Sequence, residues 1–440
     1  MPSPTIIAQS LAAAFVDGDM RIDELVSRGA TMLGKRWRWL APLAERAHNA
    51  FANVPRPRPN AVARFILADN GFQHACLKYR LHLARAVPSR GTMSPVAAAK
   101  SWQVPSLRNA RELADWLGIR IGELEWFADT KGLEQKSNPG RLRNYHYRIL
   151  HKRFGRIRLI EAPKNRLKSV QRKILADILD QIPVHAAAHG FRRGHSVKSF
   201  AAPHVGKRVV LRIDLQDFFP TISVAQIEAI FRTVGYLDSV ANLLAGICCN
   251  TTPSDVWDEM EVPNFRRHNR NYRFLYARPH LPQGAPTSPA LANLCAYRLD
   301  CRLSGLAATA SAAYTRYADD LAFSGDHDFQ RGVHRFHIHA CATIAEEGFH
   351  VFHHKTRTMR RGSRQRLAGV VVNDRLNIAR ADFDRLKAIL ANCIRNGPVS
   401  QNRASHPDFR GHLLGQISYV GMLNPQRGQK LRHLLEQINW

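Results

Sequence analysis

The chain reads as an α+β protein, with a helical N-terminal stretch followed by a region where strands and helices interleave without strict βαβ repetition. Three observations predict it. Early apolar residues recur at helical spacing, as in Ile22-Asp23-Glu24-Leu25-Val26 and Trp37-Arg38-Trp39-Leu40-Ala41-Pro42-Leu43. Between residues 145 and 324, short strand-like runs alternate with amphipathic segments. From Asn377 onward the pattern returns to helix.

Taken in order, residues 1–104 form a helical extension, broken at Arg56-Pro57-Arg58-Pro59-Asn60, with a second helical group ending at Ser89-Arg90-Gly91-Thr92. Residues 107–129 give two helices joined at Gly118. They have the outline of a helix-turn-helix, but the second is acidic where a recognition helix is basic, so a packing role is expected. A polar linker, 131–144, leads to β-structure at 145–163, with Arg156-Ile157-Arg158-Leu159-Ile160 as its clearest strand. Residues 167–182 form a helix whose apolar face is Val170, Ile174, Leu175 and Ile178. The strand Val209-Val210-Leu211-Arg212-Ile213-Asp214-Leu215-Gln216-Asp217-Phe218-Phe219 follows, then helices over 224–234 and 288–303. Strands at 313–316 and 321–324 flank Tyr317-Ala318-Asp319-Asp320 as a hairpin. The C-terminal helices include Phe383-Asp384-Arg385-Leu386-Lys387-Ala388-Ile389-Leu390 and a basic end at 427–432.

Lys plus Arg number 64 against 35 Asp plus Glu, a net charge of +29. Such an excess implies a polyanionic partner, because each phosphate neutralised releases condensed counterions. The seven cysteines lack paired metal spacing and fit reduced thiols in the cytoplasm. Neither a signal peptide nor a membrane span is expected: the apolar run 240–249 is far shorter than the roughly 20 residues a bilayer requires.

Adjacent carboxylates at a hairpin tip, with Asp214 on a second strand, form a set able to hold a pair of divalent cations for nucleotidyl transfer. Asp214, Asp319 and Asp320 are the candidate catalytic residues, with the Leu215 carbonyl as a further metal ligand. The backbone of Asp217 can meet triphosphate oxygens. Phe219 stands where it would clash with a 2′-hydroxyl, whereas Phe218 is read as core. Gln283-Gly284, in His280-Leu281-Pro282-Gln283-Gly284-Ala285-Pro286-Thr287-Ser288-Pro289, lets backbone approach a base pair; Thr287 or Ser288 can cap the helix that follows. Lys152, Arg153 and Arg158 can clamp triphosphate. Lys355 can protonate departing pyrophosphate from its place after a helix. His334, His337, His339, His350, His353 and His354 suit no zinc spacing and are read as a nucleic-acid-facing surface. Cys248-Cys249 is read as core.

Four stretches in order resemble a bacterial retron-type reverse transcriptase: Ala188-His189-Gly190-Phe191-Arg192-Arg193-Gly194-His195-Ser196, the Asp214 strand, the Gln283 loop and the Asp319 hairpin. The resemblance covers about residues 105 to 440. It implies a right hand, with fingers and palm over 105–373 and a thumb over 374–440. It further implies two Mg²⁺, with Mn²⁺ as a substitute, held by Asp214, Asp319 and Asp320. Tyr317 then lies near the primer end, Gln283 and Phe219 around a dNTP, and Gly369 and Val370 in a strand turn that grips the primer. The implied partners are a cognate non-coding RNA, its RNA–DNA product and an effector protein. The implied activity is DNA synthesis from an RNA 2′-hydroxyl, giving a branched product in anti-phage defence. The chain departs from the family at Leu367-Ala368-Gly369, where many members have Val-Thr-Gly. It also has a longer, more basic stretch at 250–278 without the usual Asn-Ala-x-x-His element. Defence reverse transcriptases that make unbranched or untemplated DNA share the core motifs, and a catalytically silent RNA-binding scaffold is the alternative from another class.

Overall fold

The computed structural model describes residues 3–16, 20–51, 54, 57–84, 93–136, 142–151, 157–257 and 270–440. The chain divides into two compact units. One comprises residues 1–101, 106–121 and 231–241; the other comprises 102–105, 122–230 and 242–440.

In the first unit, helices Pro4–Val16, Ile22–Leu33, Leu40–Phe51, Pro59–Ala68 and Asn70–Lys78 close around Leu11, Phe15, Leu25, Leu40, Leu43 and Ile66. Their i, i+3, i+4 spacing places these side chains on inward stripes. The helix after Asp69 is capped by that side chain, which accepts the Phe72 N–H at 2.9 Å. Arg46 binds the same carboxylate through Nε at 2.7 Å and a terminal nitrogen at 3.0 Å.

The second unit is built on a five-stranded sheet. Its strands are β3 (Val209–Gln216), β4 (Ala313–Tyr317), β5 (Asp320–Gly325), β6 (His350–Val351) and β7 (Arg357–Arg360), in the order β4-β5-β3-β6, with β7 also pairing β3. All these pairings are antiparallel. Strand β3 is buried at nearly every position, so its run of Val, Leu and Ile is the middle of the sheet. Helix His327–Glu346 covers one face with Phe329, Val333, Phe336, Ala340 and Ile344. A separate hairpin pairs β1 (Tyr145–His151) with β2 (Ile157–Pro163), and a short one pairs β8 (Arg366–Leu367) with β9 (Val370–Val371). Helices Arg380–Asn396, Phe409–Leu423 and Pro425–Glu436 gather around Leu390, Leu413, Ile417 and Leu431.

Several expected bounds change. The helix over 288–303 is two helices, Ser288–Cys295 and Tyr297–Thr309, separated at Ala296, whose ψ of 1° does not continue an α-helix. The helix over 167–182 runs Asn165–Asp177 and gives way to a tight turn at Leu179–Gln181. The hairpin strands extend further than expected, leaving Ala318-Asp319 as the whole turn. Ser89-Arg90-Gly91-Thr92 lies outside the described residues. No helix among the described residues is long and apolar enough to cross a membrane.

Candidate active site

Strands β3 and β5 run antiparallel with Asp214 directly opposite Asp320. The β4–β5 turn then places Asp319 beside both, its carbonyl accepting the Leu215 N–H at 2.9 Å. Ala318 makes the turn at φ 55°, a left-handed conformation that costs a residue with a Cβ. The surroundings hold it there. Residues 187–189 lie along β4, with the Arg316 N–H donating to the Ala187 carbonyl at 2.7 Å and His189 N–H to the Arg316 carbonyl at 2.8 Å. Gly190 follows, and a Cβ at this position would sit 2.7 Å from the Ala318 nitrogen, so only glycine permits the approach.

Beneath the turn, Arg316 is fully buried and bound to Asp300 through Nε at 2.8 Å and a terminal nitrogen at 2.6 Å. It also donates to Asn293 at 2.9 Å and to the Ala318 carbonyl at 3.3 Å. Tyr314 adds a hydrogen bond to Asp300 at 2.7 Å.

Electrostatics at the carboxylates are those of crowded acids. Burial pushes the Asp320 carboxyl up to about 6 despite the Arg212 guanidinium, and Asp319 and Asp214 push the same way. Asp214 is raised by burial and by Asp319, against the pull of Lys355 and Arg212. Arg212 Nε donates to Asp320 at 2.6 Å, and Lys355 Nζ lies 3.2 Å from both oxygens of Asp214. Clustered carboxylate oxygens whose ionised forms repel one another are a donor set for hard divalent cations such as Mg²⁺ or Mn²⁺. The residues fit that group.

Residues 150–388 match the family described as reverse transcriptase (RNA-dependent DNA polymerase). The retron Mx65 reverse transcriptase of Myxococcus xanthus is 39% identical over 384 residues, covering 85% of this chain and 83% of the relative. The chain belongs to the retron-type reverse transcriptases. Retron Mx162 reverse transcriptase, also from Myxococcus xanthus, is 31% identical over 77% of this chain and 69% of its own. Retron Ec86 reverse transcriptase of Escherichia coli is 31% identical over 53% of this chain and 64% of its own.

In this reverse transcriptase, the three acids open onto a cavity of about 380 Å³ that Leu215, Asp217, Phe219, Gln283, Arg158, Tyr317 and Lys355 also line. Lys152 and Arg153 lie outside the described residues. Phe218 is buried, while Phe219 is partly exposed to the cavity with Phe191 edge-on at 6.0 Å. Asp217 turns the chain at φ 48°. Lys355 does not follow a helix: β6 intervenes, and the residue sits in a turn closed by its own N–H on the Phe352 carbonyl at 3.0 Å.

Gln283 is fixed from behind, its carbonyl accepting the Glu161 N–H at 3.0 Å. Gly284 has φ 142°, and a Cβ there would meet the Glu161 oxygen at 2.8 Å. Glu161 itself is buried, bound by His280 Nε2 at 2.9 Å, Asn250 at 2.8 Å and Thr252 at 2.7 Å. Neither candidate hydroxyl caps the next helix. The Thr287 side chain makes no cap bond, and Ser288 Oγ donates instead to the Pro282 carbonyl at 2.6 Å, closing the loop.

Gly369 and Val370 do not line the carboxylate cavity; their neighbour Ala368 does. Gly369, at φ 91°, faces a second cavity with Arg366, Gly415 and Tyr419, while Val370 is buried against Phe200 and Val210. Cys248 and Cys249 are buried. His334, His339, His350, His353 and His354 are exposed, and the half-buried His337 comes together with His353 and Cys341.

The motifs assign no role to Arg316, Asp300, Asn293, Glu161 or His280. Only Arg316 left a local signal, a charged residue inside an otherwise apolar hairpin strand.

Proposed function

We propose that this RNA-directed DNA polymerase copies a cognate structured non-coding RNA, starting from a 2′-hydroxyl of that RNA, and serves in anti-phage defence. The observation that carries the catalytic part is the meeting of Asp214, Asp319 and Asp320 at one cavity. The retron part rests on the relatives, whose similarity extends over most of the chain.

Asp214, Asp319, Asp320 and the Leu215 carbonyl are the ligands for two Mg²⁺, with Mn²⁺ able to substitute. Bound there, a cation pair supplies an activated attacking hydroxyl and charge neutralisation at the leaving oxygen. The remaining roles belong to the chain. Arg158 and Lys152 hold triphosphate oxygens, with the Asp217 backbone beside them. Phe219 excludes a ribose 2′-hydroxyl, and Gln283 rests against the templating base pair. Lys355, already at the cavity, gives the proton on Nζ to the departing pyrophosphate oxygen. Tyr317 supports the primer end, and Gly369 meets the primer at the β8–β9 turn, which Val370 anchors from the core. Residues 1–104 form the extension, 105–373 the fingers and palm, and 374–440 the thumb. A basic surface that reads backbone and shape suits RNA duplexes, whose narrow major groove resists side chains.

The test is sequencing of nucleic acid that co-purifies with the protein, before and after RNase and debranching treatment. The expected product is DNA joined to one RNA species by a debranchable linkage. Linear DNA alone would replace the retron reading with that of an unbranched-product relative. Asp319→Asn combined with Asp320→Asn is expected to abolish the DNA while the RNA remains bound; DNA synthesis surviving in that variant would overturn the site assignment.

A further inference from the structure

We propose that His337, Cys341 and His353 form a Zn²⁺ site that ties helix His327–Glu346 to the turn carrying Lys355. His337 and Cys341 are four residues apart on that helix, and the i, i+4 spacing puts them on one face. His353 comes from the turn after β6. One ligand atom from each lies within 4.8 Å of the others. Tetrahedral zinc with nitrogen and sulfur donors needs ligand separations of about 3.3–3.6 Å. Zinc binding would therefore draw the three side chains together by rotation.

A second observation points to a ligand here. His337 Nε2 is buried and has no hydrogen-bond partner, which is uncommon for a buried imidazole nitrogen. The donor set of two imidazoles and one thiolate favours zinc over Mg²⁺, which prefers oxygen. The carboxylate cavity and this cluster therefore select different ions. Three protein ligands leave the fourth tetrahedral position to water.

The connection to the catalytic cavity is short. Phe352, the neighbour of His353, donates its N–H to the Asp214 carbonyl at 2.7 Å and accepts the Lys355 N–H at 3.0 Å. Zinc at His353 would hold this turn against the helix, which makes His353 a positioning residue for Lys355.

The full-length protein, stripped with chelator, is titrated with Zn²⁺ against a competing chelator, and the desalted protein is assayed for metal. About one equivalent of zinc is expected. Cobalt loading is expected to give a thiolate-to-metal absorption band. Cys341→Ser removes the band, and His353→Ala, an exposed change that spares the core, lowers affinity beyond the about 10–100-fold typical of losing an outer partner. His334→Ala with His354→Ala leaves uptake intact. Hydrogen exchange at 352–355 should slow on zinc binding in the wild type and not in His353→Ala. Absence of stoichiometric uptake overturns the site, as does uptake undiminished in both His353→Ala and Cys341→Ser, which would mark adventitious binding to surface histidines. Unchanged exchange at the turn overturns the tie to Lys355.

Discussion

At the residue scale, burial raises the proton affinity of Asp214 and Asp320, Asp319 adds to both, and Asp214 adds to that of Asp320. A cation held there would relieve that repulsion, so removing one acid would remove a ligand without a substitute. Asp320→Asn is expected to slow DNA synthesis by about 10³-fold or more, roughly 4 kcal/mol of barrier, in a primer-extension assay with folding confirmed by circular dichroism. Phe219, in the proposed scheme, acts by volume instead. Phe219→Val is expected to raise incorporation of ribonucleotides relative to deoxynucleotides by about 10–200-fold, the worth of one pocket contact, read from the ratio of kcat/KM values. Arg316 touches no substrate in this scheme. Its replacement by methionine leaves Asp300 buried without its cation, and the expected loss is about 3–5 kcal/mol in a denaturant titration.

At the element scale, the β1–β2 hairpin and the Gln283 loop are joined through the buried Glu161–His280 pair. Burial alone would raise the Glu161 carboxyl, but His280 and the hydroxyl and amide donors bring it below its ordinary 4.5. Burial alone would lower His280, but Glu161 lifts it above 6.5. The lowered acid stabilises the fold above pH 4.5, and this is lost as pH falls through its folded value. The raised base stabilises below pH 6.5, and this is lost as pH rises through its folded value. The pair therefore contributes fully between about pH 4.5 and 6.5. Glu161→Gln should cost about 3–5 kcal/mol in that window, with the Tm gap from wild type narrowing on either side of it. A pH-independent gap would show that the pair is not ionised.

At the scale of the whole molecule, a net charge of +29 dominates encounter with nucleic acid. If the RNA engages 6–10 phosphates, its affinity should fall by about 10³–10⁵ between roughly 50 and 200 mM salt, measured by filter binding. A shallow dependence would mean that base stacking and shape outweigh the backbone contacts.

What the motifs alone supplied is the candidate chemistry. Asp214, Asp319, Asp320, Gln283 and Phe219 stand in short motifs whose order is readable because metal binding and nucleotide selection need particular side chains beside particular turns. Helical and strand periodicity likewise placed most elements, since burial on one face leaves a periodic trace. Element ends were less legible, as at Ala296, because local backbone geometry ends a helix where composition does not. Tertiary structure alone decided the pairs Asp300–Arg316 and Glu161–His280, whose partners are 16 and 119 residues apart. It also decided the meeting of His337, Cys341 and His353. A charge or an imidazole in a sequence is ordinary; it acquires a role only when folding removes its water and supplies one specific partner from elsewhere in the chain.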